Sequence, residues 1–254
     1  MQKVLYLLTL LLITVYTYAD VSPVVINRLT NNEGLSNSSV NVIYQDSNNL
    51  MWFGTWDGLN LYNSREFKTF KPNPNVPGNI TNNIIRDIIE TTKGKLWITT
   101  DNGINLYTPE AMRFQSFFYD NKENTIFKER SFLICKNSHN KVIASVYNTG
   151  LYYFDEELSD FILIRNLKET SLKKLFFDKD DNLWLFTDNN SLYRVNLDWS
   201  KNKPDIKDIK PVVLSQSSHD VFYNLYTNQI WEQNENRHIN IYDVPTETKI
   251  IEEM

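Results

Sequence analysis

Three observations make this 254-residue chain an all-β protein of repeated sheet units. Four of its six tryptophans sit at landmark positions of a repeat, apolar side chains fall near every second position, and 32 residues are Asn against 7 Gly. Asn caps turns and tolerates left-handed backbone, so this composition suits many short strands joined by many turns. Fourteen Tyr and fourteen Phe add to the preference for strands.

The repeat is legible by direct alignment. Leu50-Met51-Trp52-Phe53-Gly54-Thr55-Trp56-Asp57-Gly58-Leu59-Asn60-Leu61-Tyr62 stands in register with Lys95–Tyr107, 45 residues on. Weaker copies run over Val142–Tyr153 and Asn182–Tyr193, and a fifth over Gln229-Ile230-Trp231 with Ile239-Asn240-Ile241-Tyr242. The landmark positions 52, 97, 143, 184 and 231 lie 45, 46, 41 and 47 residues apart. A period near 45 fits either four-stranded propeller blades or paired-helix repeats. The local pattern chooses the first. Runs of four to seven residues rich in Ile, Val, Phe, Tyr and Trp alternate as Val40, Val42 and Tyr44 do, and helix-length amphipathic stretches are missing. The expected architecture is a β-propeller of about five four-stranded blades, near residues 30–72, 73–120, 121–165, 166–210 and 211–254.

Ahead of the blades, residues 1–19 read as a signal peptide. Met1-Gln2-Lys3 is a basic start, Val4–Val15 an apolar run, and Thr17-Tyr18-Ala19 a small-residue exit. The run is too short for a membrane span, which needs about 20 residues. Val24–Leu29 reads as an additional outer strand, and residues 20–254 as the propeller region. In the first blade, strand A is expected over Val40–Gln45, B over Leu50–Thr55, C over Leu59–Tyr62 and D over Glu66–Phe70. Gly58 supplies the positive φ of the B–C turn, and the Pro/Asn stretch 71–79 crosses to the next blade. Later blades repeat this plan, ending on a D strand at Thr248–Ile251. Trp52, Trp97, Trp184 and Trp231 are expected between blades, where wide flat side chains fill the gap.

Charge and cysteine content exclude several functions. With 26 basic and 31 acidic side chains the net charge is −5, and removing Lys3 with the leader makes it −6. Nucleic acid is therefore not an expected partner. A single cysteine, Cys135, forbids an intrachain disulfide or a thiolate metal cluster, and the histidines lie far apart in sequence. Neither a metal nor a cofactor is expected. No GxSxG element or Gly-rich phosphate loop occurs, and Asp178-Lys179-Asp180-Asp181-Asn182 lacks the distal Glu of a calcium loop.

In an up-and-down meander the B–C turns share one face with the inter-blade linkers. That face gathers Trp56 and Asp57, Asp101 and Asn102, Tyr147 and Asn148, and Asp188 and Asn189. Carboxylates, amides and aromatic rings together suit a sugar, whose hydroxyls need polar partners and whose ring needs a flat one. Trp56 is singled out because it stands in a turn, where packing does not demand Trp. These eight residues are the candidate ligand site.

Gly34-Leu35-Ser36-Asn37-Ser38-Ser39-Val40, Asp46, Leu50-Met51-Trp52-Phe53-Gly54-Thr55 and Gly58-Leu59-Asn60-Leu61-Tyr62 resemble the two component regulator propeller repeat. The resemblance is specific in copies one and two, fair in four and poor in three and five. It implies the periplasmic sensor region of a hybrid two-component system of the Bacteroidetes type. Such regions commonly hold two seven-bladed propellers ahead of a β-sandwich, a membrane helix, and kinase, receiver and DNA-binding modules. Oligosaccharides are the implied ligands and glycan-utilisation genes the implied output. With five repeats, the chain is expected to be an incomplete, open part of a seven-bladed propeller, a non-enzymatic fragment. Its implied partners are the remaining blades and a membrane kinase module, with self-association through open blade edges. The alternatives are a secreted carbohydrate-active propeller enzyme and a scaffold without a ligand.

Overall fold

The computed structural model describes residues 28–118, 132–167, 170–201, 203–214, 218–246 and 248–251. The expected leader lies outside these, as do residues 24–27 of the additional strand; Arg28 and Leu29 carry no strand.

The alternating runs fold into five antiparallel four-stranded meanders, each ordered as its strands follow in sequence. The first blade is β1 (Val40–Gln45), β2 (Met51–Thr55), β3 (Gly58–Tyr62) and β4 (Phe67–Phe70). The second is β5 (Ile85–Glu90), β6 (Leu96–Thr100), β7 (Gly103–Thr108) and β8 (Arg113–Phe117). The third is β9 (Phe132–Lys136), β10 (Val142–Val146), β11 (Gly150–Asp155) and β12 (Asp160–Asn166). The fourth is β13 (Leu172–Phe177), β14 (Leu183–Thr187), β15 (Leu192–Asp198) and β16 (Asp205–Val212). The fifth is β17 (Ser218–Asn224), β18 (Gln229–Asn234), β19 (Ile239–Asp243) and β20 (Thr248–Ile251). Strand β1 lies against β5, β5 against β9 and β9 against β13, so the first strands of successive blades line the inner side. The fold is an all-β propeller of five blades, with no α-helix among the described residues.

The turns explain the Asn content. Every turn between the first and second strands places its fourth residue in the left-handed region: Asn49, Gly94, Asn140, Asp181 and Asn228, with φ of 60°, 77°, 59°, 58° and 57°. Asn and Asp hold that geometry through local side-chain hydrogen bonds, so one glycine serves five turns.

Alternation puts one face of each sheet against the next blade. Trp52, Trp97 and Trp184 are each 2% exposed and stand in three separate inter-blade cores. Fully buried Ile143 takes the equivalent place between blades 3 and 4. Trp231 is only half-buried, which departs from the expectation for it. Within its own blade it pairs with Phe222, itself 62% exposed, and no inter-blade core includes either side chain among the described residues. Two tryptophans are fixed by turn carboxylates: Trp52 Nε1 donates to Asp46 and Trp184 Nε1 to Asp178, both at 2.8 Å. Gly54 lets β5 of blade 2 and the neighbouring strand β1 both pack close against β2. A Cβ there would lie 2.5 Å from Val42 and 2.6 Å from Ile85.

Candidate functional site

The first strands of blades 1, 2, 4 and 5 each contain a register shift near their start, between Val40 and Val42, Ile85 and Asp87, Leu172 and Lys174, and Ser218 and Asp220. A bulge leaves one residue out of the ladder and re-aims its side chain. Those residues are Asn41, Arg86, Lys173 and His219. Three of them reach the second-to-third-strand turns.

Asn41 Oδ1 accepts the Trp56 indole N–H at 3.0 Å, and its amide donates to the Ile85 carbonyl of the next blade at 2.8 Å. The Arg86 guanidinium lies over the Trp56 ring at 5.4 Å. It also holds Asp101 through two parallel bonds, Nε to Oδ1 at 2.5 Å and Nη2 to Oδ2 at 3.0 Å. Paired donors of this kind fix orientation as well as charge. Trp56 nonetheless stays 49% exposed. Asp57 accepts from Lys71 at 2.6 Å and from Asn83 of the second-blade linker at 3.2 Å. The hydrogen bonds from Lys71 and Asn83, with the Lys71 charge, hold its carboxyl below the usual carboxylate range, so it is ionised at neutral pH.

Trp56 and Asp101 are therefore joined across blades 1 and 2 through Arg86, and Asp57, next to Trp56 in the turn, is tied to the second-blade linker through Asn83. Asn102 shares the second-blade turn with Asp101, and the other four stand in turns further round. The Asn102 backbone N–H donates to Thr100 Oγ1 at 3.1 Å. Tyr147 and Asn148 form the third-blade turn, Asn148 at φ 55°, and the Thr149 carbonyl accepts from Leu167. Asp188 and Asn189 are exposed in the fourth-blade turn; Asn189 accepts from the Thr187 hydroxyl, and Lys173 Nζ donates to neighbouring Asn190 at 2.7 Å. Sequence reasoning gathered Asn83 on this face as part of the linker Thr81-Asn82-Asn83 but missed Asn41, Arg86 and Lys173. These three share one point of the repeat with His219, each polar, a signal that looking for strict alternation conceals. Among the described residues no group of three His, Cys, Asp or Glu side chains is placed to hold a metal ion. None of their helices is long and apolar enough to cross a membrane.

Residues 34–57 and 79–102 match the family model described as two component regulator propeller. No curated protein matches. Among solved structures, the extracellular domain of the B. thetaiotaomicron hybrid two component system BT3049 superposes with a TM-score of 0.67 at 21% identity, over 90% of this chain and 32% of that one. The extracellular domain of the B. thetaiotaomicron one component system BT4673 gives 0.62 at 19% identity, over 87% and 30%. The Neurospora crassa Pan2 WD40 domain gives 0.55 at 13%, over 84% and 65%. The chain thus spans about a third of the length of the first two, and at these identities the likeness establishes fold.

Proposed function

Taking the chain as a two component regulator propeller repeat protein, we propose that it is a ligand-sensing propeller working outside the cytoplasm. In this reading it recognises an oligosaccharide and passes the event to a membrane kinase module that governs glycan-utilisation genes. Further propeller blades and that module are its partners, and its own role is binding rather than catalysis. The sensor setting is supported by the structural likeness to extracellular domains of two-component and one-component systems.

The observation that carries the ligand class is Trp56: a half-exposed indole held in a turn by Asn41 and Arg86, beside the ionised Asp57 and the Arg86–Asp101 pair. A flat apolar surface ringed by charged donors and acceptors matches the two faces of a sugar. Calorimetric titration of the full chain with a panel of neutral oligosaccharides tests this. Saturable heat without product formation, lost in Trp56→Ala, is the expected result; binding indifferent to Trp56 would refute the site. Because the indole also ties Asn41 and Arg86, the substitution should cost about 1 kcal/mol of stability and leave the fold intact.

A further inference from the structure

The turns between first and second strands, and those between third and fourth, meet on the opposite end of the blades. There a groove of about 780 Å³ opens between blades 3 and 4. That size accommodates a small ligand. Its aromatic wall is formed by Tyr153 from β11 and Trp199 from the turn after β15; the ring of Phe154, next along β11, packs on the other face of the blade against Trp97, Phe117 and Phe161.

Two donors in this lining lack acceptors among the described residues. Asn137 is 6% exposed, and its Oδ1 accepts the backbone N–H groups of His139 at 3.0 Å and Lys141 at 2.9 Å. That acceptance fixes which end of the amide is oxygen; its NH2 group bonds no other described residue and stays open to solvent. The Trp199 indole N–H is buried and likewise unpaired. A buried donor without an acceptor costs about 1–3 kcal/mol, which an acceptor on a ligand relieves.

The rim carries the opposite chemistry. Asp155, Glu156, Glu157 and Asp181 face Lys141 and Lys201, four carboxylates against two ammonium groups. Asp155 and Asp181 are already engaged by local donors, Tyr153 and Ser138 among them. Glu156 reaches Lys141 only at 3.9 Å, and Glu157 has no side-chain partner among the described residues.

We propose that this groove is a second binding site, for an amine-bearing saccharide whose oxygens meet Asn137 and Trp199, whose ring lies against the aromatic wall, and whose ammonium meets Glu156 and Glu157. The site stands apart from the turn network around Trp56 and does not rest on it.

Titration of the full chain with the β-1,4-linked glucosamine dimer tests the proposal, with the N-acetylated and glucose dimers as uncharged counterparts. The glucosamine dimer should bind saturably and roughly three- to tenfold more tightly than either counterpart. Combining Glu156→Gln with Glu157→Gln should erase that preference. Both side chains are on the surface, so an unchanged thermal melt verifies folding. Trp199→Phe, which keeps the wall and deletes the donor, should weaken binding severalfold, and Trp56→Ala should not alter it. Absence of binding, equal affinity for the three dimers, or a preference that survives the double substitution would overturn the assignment. Loss of binding in Trp56→Ala would move the ligand to the other face.

Discussion

In blades 1 and 2 the middle of the third strand is a fully buried Asn. Asn60 accepts the Ser36 backbone N–H and the Thr69 hydroxyl, each at 3.0 Å, and donates to Ser36 Oγ at 2.8 Å. Asn105 repeats these contacts with Thr81 and Ser116. At the same pairing position blade 3 has Tyr152, opposite Ala144, and blade 4 has Tyr193, opposite Leu185. Blade 5 keeps Asn240 but turns its amide to the buried Glu232 at 3.1 Å. All five sheets nonetheless share one strand order. Alternation and turn geometry are thus enough to make a blade, and the Asn clamp does a separate job: it pins the incoming linker to the sheet. The family model matches 34–57 and 79–102, the stretches that carry the linker and second-strand side of that clamp.

This contrast between early and late blades can be broken by measurement. The largest difference is expected between Trp97, enclosed by Phe117, Phe154 and Phe161, and half-buried Trp231. Trp97→Ala should cost about 4 kcal/mol in denaturant unfolding, while Trp231→Ala should cost about 1–2 kcal/mol. Equal losses would mean that the fifth blade packs as fully as the second. Next, Asn60→Leu strands the Ser36 amide and removes the bonds to Ser36 Oγ and the Thr69 hydroxyl, a loss of about 3 kcal/mol, whereas Tyr193→Phe should stay below about 1 kcal/mol. Similar costs would show that the clamp contributes nothing special.

The smallest effect depends on pH. Asp87 in blade 2 occupies the pairing place that Val42 fills in blade 1 and Lys174 in blade 4. Burial raises its carboxyl from 3.8 to about 6, against the opposing pull of the Ile88 amide and Lys174. The folded state therefore holds this proton more tightly than the unfolded chain does. The charged form costs stability above about pH 6, and the cost is relieved as pH falls through the interval down to about 4. Asp87→Asn should then gain about 2 kcal/mol near pH 8 and nothing near pH 3.5. A gain that is the same at both pH values would remove the carboxylate as its cause.

The blades were legible because period and alternation are local properties: the spacing of Trp52, Trp97 and Trp184 and the β1 pattern Val40, Val42, Tyr44 needed no partner to be read. The turn residues Trp56, Asp57 and Asp101 were legible as a common face for the same reason. Their linkage was not, because Arg86 and Asn41 reach that face only through bulges, which break the alternation that identifies a strand. Nor was the groove between blades 3 and 4, whose lining comes from four turns spread over residues 137–201.

By itself, then, the sequence determined the all-β class, the five-fold recurrence and the end of the sheet at which each turn lies, since each depends on side chains a few positions apart. Tertiary structure decided which tryptophans are enclosed, which bulged side chain meets which turn, and where donors are left without acceptors. Those outcomes depend on how one blade lies against the next, and such contacts join residues more than forty positions apart, as Asn41 and Ile85 do.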